Sequence, residues 1–455
     1  MNTLTSQQRK LVYLGGILVL LIPIIWLGLP SDGKSGSGGK LSQLRTQYEL
    51  GESDLGDVDP SSAAMNLVLL GMRGVAVNLL YNEFDKQKDM KRWTEMQATT
   101  ESIVRLQPHF EKVWEMNGWN LAYNTSAEWD AVPDRYYWVK VGAKFLMRGV
   151  RQNRKSTHLQ YHVANVYQKK IGIADESRFF RKYFLHDPDP RYKGSVDSEF
   201  NPDILDNYLV AKKEYNKARD IEDTGKRPQH IQDRTLFRAS PARCQFDYAQ
   251  ALQKDGEFGE KTREAWQEAL LDWTKKFGQE VFRVPVGPLD TNVYQDIRLE
   301  MTLDDIKKEV ALPDDVPKVV KAVESYRKMV NYYYWDTRGK LESDRTTSEA
   351  HRDLYEAAQF YRKSELEKAR AAAFKGMTGF EEILRRREYT DYQNEDTMVE
   401  ECLLGVLIWQ DIYRLSDEPV PAEFPLKWLI LEKQSDQAVM ANVQKSFKRL
   451  FLDDR

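Results

Sequence analysis

Residues 11–29, LVYLGGILVLLIPIIWLGL, constrain this 455-residue chain more than any other stretch. They carry no charge, and at a helical rise of ~1.5 Å per residue they reach across roughly the ~30 Å of a bilayer's hydrocarbon. Pro23 is tolerated in a spanning helix, and Trp26 near the far end suits the membrane–water boundary. The exit reads Trp26-Leu27-Gly28-Leu29-Pro30, without the small-x-small pattern of a cleavage site. A retained anchor is therefore expected in place of a cleaved leader. Arg9 and Lys10 precede the apolar run, while Lys34, Lys40 and Arg45 follow it. The first pair lies closer to the apolar core, and long downstream domains translocate with little regard to charge. The expected topology puts residues 1–10 in the cytoplasm, a transmembrane helix at 11–29, and the remainder outside.

Residues 30–60 read as a flexible linker, because 30–40, PSDGKSGSGGK, are mostly Gly and Ser. The Gly-Lys at its end is not a phosphate loop: the GxxxxGK[ST] spacing is unmet, and Leu41 stands where the metal-binding hydroxyl belongs. Beyond the linker, 41% apolar and 30% charged residues are enough to build a real core. A net charge of -3 gives no electrostatic case for nucleic acid. The basic run Arg385, Arg386 and Arg387 sits beside Glu381, Glu382 and Glu388, the pattern of a solvated helix face. Cys244 and Cys402 are far apart and belong to no CxxC pair, so a thiol zinc site is unsupported. They either bridge or are two small buried side chains.

From Ser61 onward the apolar period is helical, with helices expected at 65–84 and 92–106. Strand alternation is almost absent. The most extended piece, 281–286 (VFRVPV), is limited to an edge or a loop by its proline. Within the helical region Trp114, Asn117, Gly118 and Leu121 stand at the spacing of a tetratricopeptide first helix. Gly142, Leu146 and Gly149 follow at the small–large–small spacing of its second helix. The first-helix spacing returns at Gln160, Val163, Ala164 and Tyr167, at Gln245, Tyr248, Ala249 and Leu252, and at Leu354, Ala357, Ala358 and Tyr361. Small residues at fixed points let paired helices approach. The expected fold is all-α: a tetratricopeptide-like α-solenoid of helical hairpins with irregular insertions, preceded by one transmembrane helix. Its domains are a helical block at 61–183, an irregular excursion at 184–240 with one short helix near 205–219, and a second helical block at 241–455. An irregular bundle without true repeats is the alternative.

The runs GMRGVAVNLLYNEFDKQK, LQPHFEKVWEMNGWNLAYN, SPARCQFDYAQALQKDG, MVNYYYWDTRGKLESD and NEDTMVEECLLGVLIWQ resemble a group of planctomycete membrane-anchored proteins. That group is itself similar to tetratricopeptide proteins and often carries the label "IRE (iron responsive element)". The resemblance covers most of the chain after the linker. It implies a bacterial cytoplasmic-membrane protein, single-pass, with its soluble part on the periplasmic side, and no settled activity. The residues themselves give iron no support. Helical di-iron sites use Glu-x-x-His pairs, and none of the six histidines has a Glu three residues before it. His158 and His162 lie one turn apart, which is the pattern of groove or surface histidines more than of a metal pair.

First helices of tetratricopeptide arrays line a concave groove for an extended peptide or a partner helix. In this frame the groove residues are Lys112, Glu115, Trp119 and Tyr123, then His158, Tyr161, His162, Asn165 and Lys169. Their three- and four-residue steps place them on one face, and their rings offer amphipathic contact area. The opposing reading has Trp119 and Tyr123 packed on a neighbouring helix. Tyr332, Tyr333, Tyr334 and Trp335 are expected mostly in the core, with one or two rings left over. Glu400 and Glu401 beside Cys402 do not face each other on a helix and form no dyad. No nucleophile elbow, zinc helix or Gly-rich cofactor loop occurs. The chain is therefore read as a non-enzymatic membrane-tethered adaptor for a protein or peptide partner, without cofactor, metal or nucleic acid. A self-associating structural protein of the envelope and an enzyme with a dispersed site are the alternatives.

Overall fold

The computed structural model describes residues 6–28, 39–47, 73–225, 234–285 and 294–450. Most of them are helical, and strand is confined to one two-stranded ribbon, so the all-α class is met. The chain divides into two compact units, Met1–Gln232 and Asp233–Arg455. Among the described residues no helix is long and apolar enough to cross a membrane. The first helix, α1 (Ser6–Gly28), holds residues 11–28 of the expected span, but its side chains at 6, 9, 11, 18, 24 and 25 lie outside the description, as does residue 29. The apolar side chains of α1 that are described, among them Leu14, Ile17, Leu20, Ile22 and Trp26, are exposed. The Gly-Ser stretch of the linker falls outside the described residues, and the short helix α2 (Lys40–Gln47) follows it.

In the first unit, α3 (Arg73–Asp89) packs on α4 (Trp93–Leu106) and α4 on α5 (Glu111–Trp119), which continues through a π-helical turn, Asn120–Thr125. Next come α6 (Val132–Gln152) and α7 (Thr157–Asn165), the latter running into a second π-helical turn, Val166–Ile171. The two π turns start and end 46 residues apart. They follow Trp114 and Gln160, the opening residues of the two repeat spacings, at the same distance. The two segments that carry the repeat spacing thus share a backbone irregularity at the same offset. A β-carbon on Gly142 would lie 2.6 Å from the backbone nitrogen of Ala122, and one on Gly149 2.8 Å from the ring of Trp114. These glycines stand where α5 and α6 touch, as their spacing anticipated.

The 184–240 excursion is less irregular than its turn residues suggest. It opens at the end of α8 (Ser177–Leu185), and α9 (Asn207–Thr224) packs along α7 as the second member of a hairpin. Asp206 caps α9 through the amide of Tyr208 at 2.9 Å and pairs with Arg181 at 2.9 Å. The coil between α8 and α9 is pinned by Lys140. Its buried ammonium meets Asp187 at 2.6 Å and Asp197 at 3.3 Å, and lies 4.4 Å from the centre of the Tyr192 ring. Lys144 adds Asp197 at 2.9 Å and Glu199 at 2.7 Å. The two units therefore divide at 232/233, and α9 belongs to the first.

The second unit opens with α10 (Arg234–Lys254) and α11 (Glu260–Leu271), which ends in a third π-helical turn, Asp272–Lys276. This turn follows Trp266 at the distance that separates Asn120 from Trp114. Strands β1 (Phe282–Pro285) and β2 (Tyr294–Ile297) pair antiparallel with Phe282 opposite Ile297. Phe282 and Val284 point inward and Pro285 ends the strand, as the proline required. Then come α12 (Leu303–Glu309), α13 (Val316–Met329) and α14 (Tyr332–Ser343). One core gathers Phe246, Trp266, Trp273, Ile297, Val319 and Trp335. A second is built on the hairpin of α15 (Arg345–Arg362) and α16 (Leu366–Leu384) with α17 (Asp396–Leu415), around Leu354, Met377, Phe380, Cys402 and Trp409. Helices α18 (Lys427–Lys433) and α19 (Gln437–Arg449) complete it. Leu354 fills the space left by Gly376 and Gly405, where an added β-carbon would come within 2.8 and 2.6 Å of it. No disulfide joins Cys244 and Cys402, which are both buried. Of the four aromatics at 332–335, Tyr332 and Trp335 are core, Tyr334 is half-buried and Tyr333 is exposed.

Candidate functional site

The expected groove residues come from α5, α7 and the π turns that extend them. Ser156 caps α7 by accepting from the amide of Leu159 at 3.2 Å, and its hydroxyl donates to Glu111. This fixes the start of α7 beside α5. His162 Nε2 then donates to Glu115 Oε1 at 3.0 Å, and Lys112 Nζ meets Glu115 Oε2 at 2.6 Å. The hydrogen bond from His162, helped by Lys112 and opposed by burial, holds the Glu115 carboxyl at about 2. Further along, the Tyr123 hydroxyl donates to Asn165 Oδ1 at 3.2 Å, and burial first, then Tyr161, pushes that phenol up to about 12. Trp119 stacks on Tyr123 with ring centres 5.4 Å apart, yet stays 48% exposed. Lys170 lies 5.4 Å from the Tyr123 ring centre.

Six of the expected residues thus fall into two contact groups that each bridge the two helices, Lys112–Glu115–His162 and Trp119–Tyr123–Asn165. Tyr161 is half-buried, 5.2 Å from the Tyr215 ring of α9, and joins the first group edge-on to His162. His158 is half-buried and Lys169 exposed, and no contact ties either to the others. Among the described residues no group of three or more His, Cys, Asp or Glu side chains is arranged to hold a metal ion.

A second site lies wholly within the second unit and combines residues that the sequence reading left apart. Fully buried His351 on α15 stands between two carboxylates. Its Nε2 lies 3.1 Å from Glu342 Oε2, and its Nδ1 lies 2.8 Å from Glu401 Oε1. Burial opposes a charge on the imidazole, but Glu401 and Glu342 prevail and hold it at about 10. Burial would likewise raise Glu342, but His351 first and then Arg338 keep it at about 2. Gln253 donates to Glu342 Oε2 at 2.8 Å. Arg338, one turn before Glu342 on α14, sits among the rings of Trp266, Tyr334 and Trp335 at 5.7, 5.8 and 5.9 Å. It reaches Glu395 at 3.3 Å, and Glu395 also caps α17 through the amide of Met398 at 2.6 Å. The network borders a cavity of about 320 Å³ whose wall mixes apolar side chains such as Leu354, Leu404 and Ile408 with polar ones such as Gln250, Tyr355 and Thr397. Two signals pointed to it: Arg338 and Glu342 are one turn apart, and His351 lies on the apolar stripe of Ala350 and Leu354.

No family model, curated protein or solved structure matches the chain.

Proposed function

We propose that the protein is a membrane-anchored adaptor, a tetratricopeptide-like α-solenoid whose first-unit groove takes an extended peptide of a protein partner at the bacterial envelope. One observation carries the reading. The pairs Glu115–His162 and Tyr123–Asn165 tie two successive first helices together, while Trp119 stays open to solvent beside them. An extended peptide needs such a surface, with a ring to lie on and fixed donors and acceptors for its backbone. The repeated π turns and the glycine contacts between α5 and α6 favour a repeat array over an irregular bundle. The anchor rests on the uncharged sequence at 11–29 and on the exposure of its described apolar side chains. The resemblance to planctomycete membrane-anchored proteins points the same way.

The test is crosslinking in cells on the full chain, followed by identification of what the groove holds. A heterologous partner lost on combined Trp119→Ala and His162→Ala substitution, with an unchanged melting temperature, supports the adaptor. Self-products alone support a self-associating structural protein instead. Reporter fusions placed after residue 60 test the topology, and cytoplasmic activity there overturns it.

A further inference from the structure

The second π turn carries a lysine into the groove. In a regular α-helix residue 170 would stand about 140° round the axis from Asn165. The π turn Val166–Ile171 closes through i→i+5 hydrogen bonds, which bring residue 170 back over residue 165. Lys170 accordingly sets its ammonium 5.4 Å from the centre of the Tyr123 ring, the ring whose hydroxyl donates to Asn165, while Lys169 is exposed. The Lys170 side chain is half-buried, and among the described residues its ammonium makes no hydrogen bond and no ion pair. Its N–H donors are unspent on protein. Burial above all, with Arg135, holds its pKa below the usual lysine value against the pull of Glu176 and Asp175. The carboxylates nearby are not open to a positively charged ligand. Glu115 is held by His162 and Lys112, and Glu176 by Arg135. Asp175 is exposed, where solvent screens it. Trp119 stacks on the same Tyr123 and stays open to solvent.

On the reading that the first-unit groove takes a peptide, we propose that this peptide is acidic: the carboxylate of an Asp or Glu side chain meets Lys170 beside Tyr123, and a neighbouring apolar side chain lies on Trp119. The carboxylate replaces the water that burial has taken from the ammonium, and a hydrogen bond between charged groups in a partly dry site is the strong kind. A basic side chain in the same place meets a like charge and is refused. The Lys170 ammonium and the Trp119 ring each lie 5.4 Å from the centre of the Tyr123 ring. The two side chains they hold are therefore separated by at most about three residues of extended chain, at ~3.3 Å each.

Panning a display library of random peptides against the detergent-solubilised full chain tests this. Peptides whose capture is lost on combined Trp119→Ala and His162→Ala substitution are the groove ligands. They are expected to be enriched in Asp or Glu within about three residues of an aromatic or aliphatic side chain. Lys170→Gln should weaken binding of such a peptide roughly 10-fold, the worth of one charged hydrogen bond. The same variant should bind the peptide with Gln in place of its acid as the wild type does, which separates the lost charge from a folding defect. Lys169→Gln should change the affinity far less, and Lys170→Glu should select Lys or Arg where the wild type selects the acid. Groove ligands with no acidic preference, or a preference that survives Lys170→Gln, overturn the proposal and leave the peptide groove standing. Recovery of no groove ligand overturns both.

Discussion

At the scale of single residues, the glycines of the α5–α6 contact are not equivalent. A methyl on Gly142 meets backbone, the amide nitrogen of Ala122 and the carbonyl oxygen of Gly118, and neither can yield without moving a helix. A methyl on Gly118 meets only the Leu146 side chain, which can turn aside. Alanine also recovers up to ~1 kcal/mol of helix propensity at either position. Gly142→Ala is therefore expected to destabilise the protein by about 1–3 kcal/mol, the usual cost of overpacking, and Gly118→Ala by clearly less. Urea unfolding midpoints of the two variants, compared directly, decide the order.

His351 supplies a pH dependence with a definite sign. Its folded value, about 10, lies above its ordinary 6.5, so the folded state binds the proton more tightly. The stabilisation it provides is complete below pH ~6.5 and drains away as pH rises toward 10. Thermal melts of the wild type between pH 7 and 10 should show a falling midpoint, and His351→Gln should flatten that slope. A slope unchanged in the variant would place its origin elsewhere.

At the scale of elements, the segment between α8 and α9 is held both by the buried Phe200 ring, packed on Tyr167 and Phe184, and by the charge on Lys140. Lys140→Met removes the ammonium shared by Asp187 and Asp197, which leaves buried Asp187 without its cation and Asp197 with Lys144 alone. Breaking such an arrangement from one side costs about 3–5 kcal/mol. Hydrogen exchange should then report earlier opening of residues 186–206 than of α5 and α6. Much of the helical hairpin was legible beforehand, because Trp114, Gly118, Gly142, Leu146 and Gly149 each sit where a close helix contact needs that size. The pinning of the excursion was not legible. Its Asp-Pro-Asp-Pro run reads as coil, and nothing local to Lys140 says that its ammonium is buried. The buried network of the second unit escaped for a related reason. Glu342, His351 and Glu401 lie on three helices, and only the packing of α14, α15 and α17 makes them neighbours.

At the scale of the whole molecule, two units with their own helices and cores follow an apolar segment on one chain. Removing residues 1–40 should release the protein from the membrane fraction in an alkaline carbonate wash and leave its helical content almost unchanged. Retention in the pellet would locate the attachment elsewhere in the chain. The class of the fold could be read from periodicity, since helices dominate composition and spacing alike. The division at 232/233 could not, because it depends on α9 packing along α7, a contact between residues about 50 positions apart.

The π turns carry a record of a different kind. A π turn is one residue too many for its helix, and it turns everything after it by about 100°. A duplication copies such a misfit together with its surroundings, whereas two independent insertions would have to arrive at the same spot by chance. The match between Asn120–Thr125 and Val166–Ile171, each six residues beyond the first residue of its repeat spacing, is the kind of shared misfit that a copied hairpin would carry. Deleting one residue from each π turn would restore a regular helical register, and unfolding of that variant in urea would test whether the fold depends on the misfit.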